Sequence, residues 1–433
     1  MSLTDRQRRA VRTAGGVAIT AGAGTGKTHT LGHRYLAHLE DGSSPLHVVA
    51  VTFTERAAHE LRARVRAYAR ARFERDDPRL AELEAAPIGT VHALCLRICR
   101  DHPEAAGLPP DVRILDPLEG EVWWAERLEH ALGRLPAELF SALPYERVRD
   151  ALAVLLRDPY RAERALAHGP ERWSELAEDA RAAARRERLD APDARAAEAT
   201  LEGFAARPDG DAGERARRDV LAALSAARSG DAEVAAARIH RRSARVGAKG
   251  AWGGDQDALR EALAGALDAL RGWLDDPRAT LALGPADDVL EELLPHLRAG
   301  FETARDALAA DKRRAGVLDF ADVEVAALRA LGAPRVREHY RARWSALLVD
   351  EVQDTSPVQE AILGVLAGFC RTTMVGDVKQ SIYGFRGADA EVFRRFARRI
   401  EAEGGEAVGL DLSFRTHAPL VAADNSSLEG LVG

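Results

Sequence analysis

Lysine is nearly missing from this chain. Only Lys27, Lys249, Lys312 and Lys379 occur among its 61 basic residues, and the rest are arginine. A GC-rich genome produces that bias, and it makes each lysine conspicuous. Cysteine is scarce and odd in number (Cys95, Cys99, Cys370), which excludes a disulfide framework. Cys95 and Cys99 lie one helical turn apart without a second pair, a poor metal site. Free thiols fit a reducing, cytoplasmic setting. Aromatic residues are only 5% of the chain. No apolar run approaches the roughly 18 residues of a membrane span, so no membrane association is expected. The start, MSLTDRQRRAV, lacks the apolar core of a signal peptide. Positive charge is not in excess either. A net charge of −7 excludes a uniformly basic nucleic-acid coat but allows a local basic groove.

What is present is a chain of 433 residues, 46% hydrophobic and 30% charged. At roughly 100–200 residues per domain it holds two to four globular domains. Residues 1–104 alternate short apolar runs with helical patterns: GGVAIT, HVVAVTF and IGTVHALCLRICR each open a strand that leads into a helix. Strands alternating with helices predict an α/β domain with a parallel sheet. Residues 105–316 change character to Ala, Arg, Glu and Leu at helical spacing, broken near Pro208 and Gly250, with no comparable strand. The strand pattern returns over residues 317–433 in WSALLVDEV, TTMVGD and VGLDLSF. The sequence therefore predicts one α/β domain interrupted by an all-α inserted domain.

The strongest local feature is AGAGTGKT, Ala21 to Thr28, between a strand and a helix. Gly22, Gly24 and Gly26 let backbone N–H groups turn inward around phosphate oxygens. Lys27 is placed to reach the β and γ phosphates, and Thr28 to hold Mg²⁺. The helix N-terminus adds partial positive charge. The sequence LLVDEVQD supplies the partner: an apolar strand delivers Asp350 and Glu351 to its C-terminal edge, where open α/β sheets bind ligands. Asp350 is expected to contact Mg²⁺, and Glu351 to accept a proton from the attacking water. A third strand ends in GDVKQSIYGFRGAD, where Gln380 is suited to sense a γ phosphate. Tyr383, Phe385 and Arg386 form an aromatic and cationic group of the kind that stacks single-stranded bases.

These segments resemble the motifs of superfamily 1 DNA helicases of the UvrD/Rep type. TDRQRRAV resembles the Q motif, which implies that Gln7 reads the adenine edge. AGAGTGKT resembles motif I, with Ala21 where the family usually has glycine and His29 where many members have arginine. VTFTERAAHELRARV resembles motif Ia, which implies that Phe53 stacks on a base with Thr52 and Thr54 near DNA. GTVHALCLRI resembles motif Ib, with Thr90 and His92 near the strand. GVLDFADV, LLVDEVQDTSPVQ, MVGDVKQSIYGFRGAD and LDLSFRT resemble the segment before motif II and motifs II, III and IV, in family order. In the last of these the resemblance places Arg415 on the γ phosphate. The Val-Lys before Gln380 and the long insert are more similar to the AddA and RecB branch.

The resemblance implies a RecA-like P-loop NTPase core and an ATP- and Mg²⁺-dependent, 3′-to-5′ DNA helicase of repair or recombination. It implies single-stranded DNA and duplex ends as substrates, and a nuclease or helicase partner subunit. The sequence runs only to SSLEGLVG, soon after the segment resembling motif IV, with no counterpart of motifs V and VI. The expectation is an N-terminal portion that lacks the second RecA-like domain and does not unwind DNA alone. The alternative is an ATP- and DNA-binding regulatory module without translocation. Within the insert, the basic stretch from Arg238 to Trp252, including Arg241, Arg242 and Arg245, is a candidate for DNA phosphates.

Overall fold

The computed structural model describes residues 3–109, 111–208, 210–239, 252–377 and 391–414. These residues divide into two units. The first comprises the described residues within Met1–Pro136, Tyr145–Ala162 and Phe301–Gly433, and the second Ala137–Pro144 and Glu163–Gly300.

The first unit is built on a parallel sheet of six strands. In chain order these are β1 (Val17–Ala21), β2 (Val48–Thr52), β3 (Ile88–Thr90), β6 (Ala346–Val349), β7 (Arg371–Gly376) and β8 (Glu406–Leu410). Across the sheet the order is β3-β2-β6-β7-β1-β8, every pair parallel. Two further strands of two residues, β4 (Arg113–Ile114) and β5 (Val317–Leu318), pair with each other in parallel. β4 lies in the range that the sequence reads as all helix. A two-residue strand is too short to leave an alternating pattern, so nothing in its residues announces it.

The central strands read as unbroken apolar runs because helices cover both faces of the sheet. Side chains alternate between those faces with a period of two. Val17, Ile19, Val48, Ala50 and Leu348 join the core beneath the helices Lys27–Glu40 and Glu55–Arg72. Ala18, Val49, Val51, Leu347 and Val349 join the opposite core, under Val91–Asp101, Phe320–Gly332, Pro357–Ala367 and Glu391–Ala402. Cys95, Cys99 and Cys370 are buried within this second core. Burial pushes the Cys99 thiol up to about 11 and the Cys370 thiol up to about 12, so they behave as small apolar groups.

The second unit is helical. Its core gathers Leu201, Val220, Leu224, Leu259, Leu270, Trp252 and Trp273 from helices that include Pro192–Gly203, Ala212–Ser229 and Gln256–Leu274. Glu214 is fully buried there, and the guanidinium groups of Arg217 and Arg218 hold it below the usual carboxylate range. Trp252 corrects one sequence expectation. Its ring is 2% exposed, donates from Nε1 to Asp211 Oδ1 at 2.7 Å and meets Phe204 edge-on, so it is a core residue rather than a DNA contact. Arg241, Arg242 and Arg245 lie outside the described residues. Residues 105–136, 145–162 and 301–316 group with the sheet unit, so the helical unit is smaller than the 105–316 segment that composition marks out.

Candidate nucleotide and DNA site

The parallel sheet presents the C-terminal ends of β1, β6 and β7 side by side, with β7 in the middle. The glycine loop leaves β1 at Ala21. Gly24 and Gly26 take φ of +76° and +84°, a region that side chains with a Cβ avoid. A Cβ on Gly26 would stand 2.9 Å from Gln7 Nε2, so a larger residue there would displace that amide as well as strain the backbone. Gly26 is the N-cap of the helix Lys27–Glu40 and provides no side-chain cap. That end of the helix therefore faces the loop with its own N–H dipoles, a suitable seat for phosphate.

Lys27 Nζ lies 2.9 Å from Glu351 Oε2, an ion pair that ties the glycine loop to the end of β6. Glu351 is held in place from several directions. Its φ of +53° is the one positive value at a non-glycine residue among those described. Its N–H donates to Asp350 Oδ1 at 3.0 Å, and its Oε2 also accepts from Gln353 Nε2 at 2.7 Å. A left-handed glutamate costs of order 1–3 kcal/mol and persists only where its surroundings enforce it. Gln353 Oε1 accepts from the N–H of Asp377, just past β7, at 2.9 Å. One buried amide thus connects the ends of β6 and β7. Ser413 and Phe414, just before Arg415, bond to the carbonyls of Ala23 and Gly24 in the loop.

Burial, reinforced by Glu351, pushes the Asp350 carboxyl up to about 7. The same two causes push Asp354 up to about 6. Both shifts come first from burial, and the nearby Lys27 opposes them. Among the described residues no group of three or more His, Cys, Asp or Glu forms a ready-made metal cage. Mg²⁺ needs none: it is usually held by one or two carboxylates together with substrate phosphates. Asp350 and Thr28, a carboxylate and a hydroxyl beside the phosphate seat, are hard oxygen donors that fit such an ion.

Gln7 sits at N3 of the helix Asp5–Arg12, in a capping box with Thr4. Its amide is buried and engaged at both ends, Nε2 donating to Thr25 O at 3.0 Å and Oε1 accepting from Thr4 N–H at 2.9 Å. In this state it braces the glycine loop.

A second row of residues follows β2 and β3. Thr52 ends β2, and its hydroxyl donates to Thr54 O at 3.0 Å. Thr54 caps the helix Glu55–Arg72, and Phe53, between them, is half-buried. Thr90 ends β3 and caps the helix Val91–Asp101, while its hydroxyl donates to Glu55 Oε1 at 3.1 Å. His92 lies 2.9 Å from Glu324 Oε1 through Nε2 and packs edge-on against Phe320. The structure therefore brings Lys27, Thr28, Asp350 and Glu351 to one edge of the sheet, with Thr52, Phe53, Thr54, Thr90 and His92 farther along that edge. Gln380, Tyr383, Phe385, Arg386 and Arg415 lie outside the described residues.

With this geometry in hand, comparison with known proteins is decisive. The sequence matches the UvrD/REP helicase N-terminal domain over residues 3–231 and 284–401. The chain belongs to the UvrD/REP helicase family. It is similar to an ATP-dependent helicase/nuclease subunit of Pelotomaculum thermopropionicum, with 30% identity over 98% of this chain and 38% of that protein. The protein of the same name from Geobacillus kaustophilus is 30% identical over 99% of this chain and 39% of its own length. That from Syntrophomonas wolfei is 29% identical over 94% and 36%. The chain thus spans under two fifths of the length of these curated relatives. No helix among the described residues is long and apolar enough to cross a membrane.

Within this UvrD/REP helicase domain, three buried polar residues carry connections that the sequence reading leaves without a role: Gln353, Gln359 and Glu324. Gln353 stands inside the acidic run, so its neighbours are a signal. Glu324 interrupts the inward face of Phe320–Gly332, among Val323, Ala327 and Leu331. A charge in an apolar stripe is the signal there.

Proposed function

We propose that these residues form the ATP- and single-stranded-DNA-binding half of a 3′-to-5′ DNA translocase that works in repair or recombination. The observation that supports this most is the ion pair of Lys27 with Glu351, which joins the phosphate loop to the acid turn across β7. Lys27 exchanges this partner for the β and γ phosphates when nucleotide enters, which frees Glu351 to orient and deprotonate the attacking water. Gln353 keeps Glu351 aimed and passes the state of the site to Asp377. Thr28 and Asp350 hold Mg²⁺, which when bound neutralises phosphate charge. Gln7 braces the loop and is close enough to it to contact a bound base. Gln380 and Arg415 complete the γ-phosphate side. Phe53, Tyr383, Phe385 and Arg386 stack the bases of a single strand, with Thr52, Thr54, Thr90 and His92 beside its backbone. A nuclease or helicase partner agrees with the names of the relatives, and duplex ends are the natural substrate of such an assembly.

Motor action in this family's manner requires a second core domain whose arginine neutralises the transition state, a contribution of roughly 10³–10⁵ in rate. In this reading the 433 residues, unless joined to such a domain, should hydrolyse ATP slowly and displace no strand.

The test is ATP turnover together with strand displacement on duplexes with 3′ or 5′ tails. The 433-residue chain should turn over slowly without displacement. A polypeptide joining it to an arginine-bearing second core domain should displace strands from 3′ tails only. Glu351→Gln in that polypeptide should lower turnover about 10²–10⁴-fold. Displacement from 5′ tails contradicts the polarity. Fast DNA-stimulated turnover by the 433 residues contradicts the need for a second domain. Binding of both ligands without turnover in either form favours a regulatory module.

A further inference from the structure

Glu324 is 5% exposed on a helix face otherwise made of Val323, Ala326, Ala327, Ala330 and Leu331. An unpaired carboxylate in such a place costs several kcal/mol unless its oxygens accept strong hydrogen bonds. Among the described residues no lysine or arginine pairs with it. Its partners are the amide of Gln359, which donates from Nε2 at 2.5 Å, and the imidazole of His92, with Nε2 at 2.9 Å. These two belong to opposite parts of the proposed site.

Gln359 is the N3 residue of Pro357–Ala367, locked in a capping box with Ser356. That cap follows the buried turn Val352, Gln353, Asp354, Thr355, which begins at Glu351. The backbone bonds Asp354 N to Glu351 O at 3.0 Å and Thr355 N to Val352 O at 3.2 Å leave the turn little freedom. His92 is the second residue of Val91–Asp101, and Thr90, which caps that helix, is tied to Glu55 just after Phe53 and Thr54. His92 Nε2 approaches the carboxylate at 2.9 Å, and the ring is packed edge-on against Phe320 at the start of the helix that bears Glu324.

We propose that Glu324 is a positioning residue that couples the nucleotide site to the DNA side of the sheet edge, with Gln359 as its link to Glu351 and His92 as its link to DNA. The coupling rests on the functional reading above. A shift of the turn after Glu351 moves Gln359. A buried carboxylate cannot give up either polar neighbour cheaply, so Glu324 carries that shift to His92. The link is reciprocal, and DNA seated against His92 must alter nucleotide affinity by the same factor.

The experiment measures binding of labelled oligothymidine to the 433-residue protein by anisotropy, with and without saturating Mg²⁺ and the nonhydrolysable ATP analogue AMP-PNP. In the wild type the nucleotide should change DNA affinity by about fivefold or more. Glu324→Gln and Gln359→Met should each bring that ratio close to one, and the double variant should add nothing further, as expected for links in one chain. Glu324→Asp, which keeps the charge, should restore part of the ratio. A merely structural role would lower the melting temperature and leave the ratio intact. AMP-PNP affinity measured without DNA should stay within about twofold in every variant, since neither residue touches the nucleotide. A wild-type ratio retained in Glu324→Gln overturns the proposal, with Gln359→Met deciding the case if the first variant does not fold. A wild-type protein that binds both ligands with no change in DNA affinity also overturns it, while leaving the binding reading in place. A wild-type protein that binds neither ligand overturns both.

Discussion

At the scale of single residues, the proposed nucleotide site depends on a few positions whose backbone or burial makes substitution costly. Gly26 combines a φ of +84° with a Cβ position 2.9 Å from Gln7 Nε2. Gly26→Ala must therefore both strain the backbone, at about 1–2 kcal/mol, and push the Gln7 amide off Thr25. The expected outcome is a lower melting temperature and weaker Mg²⁺–nucleotide binding, read by thermal denaturation with and without nucleotide. Equal nucleotide-induced stabilisation in Gly26→Ala and wild type would count against a phosphate seat at this loop. Lys27, Thr28, Asp350 and Glu351 are legible in the sequence because each stands in a short run whose composition already states its chemistry. Gln353 and Glu324 are not, because their partners are set by tertiary contacts. Gln353 meets Asp377, 24 positions on, and Glu324 meets Gln359, 35 positions on. Trp252 misleads for a related reason. Its basic neighbours suggest DNA, while its place in the helical core depends on Asp211 and Phe204.

At the scale of elements, β1, β2, β6 and β7 are legible because apolar runs bounded by polar residues, four to six residues long, have little choice but to become buried parallel strands. The paired β4 and β5 are invisible at two residues each. In the helical unit, helix ends are fixed by side-chain pairs that composition does not display. Asp276 follows Gln256–Leu274 and receives Arg278 through its N–H, Nε and Nη2, while the same guanidinium also reaches Glu187 at 2.7 Å. Bonding to Arg278 pulls the Asp276 carboxyl down to about 2 from its ordinary 3.8. The native state thus binds this proton less readily than the unfolded chain. The pair stabilises the unit above about pH 4, and the contribution fades as pH falls toward 2. Asp276→Asn should lower stability in urea denaturation near neutral pH, and the difference from wild type should shrink on acidification. A difference that grows on acidification would contradict the assignment.

At the scale of the molecule, the common direction of the six parallel strands places the loop that follows each of them on one edge of the large sheet. The proposed site lies on that edge, and its make-up is compatible with a net charge of −7. In the proposed site, phosphate binding rests on oriented backbone N–H groups, one lysine and a few hydroxyls, not on bulk basicity. The scarcity of lysine then has a functional side in this proposal: nucleotide binding should turn on Lys27. The most direct test is a calorimetric titration of AMP-PNP with Mg²⁺ into wild-type protein and Lys27→Ala. Saturation of one site per wild-type chain is predicted, with affinity weakened by about tenfold or more in Lys27→Ala, the loss of a strong charge-assisted contact. Equal affinity in the two proteins, or no binding to the wild type, would contradict the account.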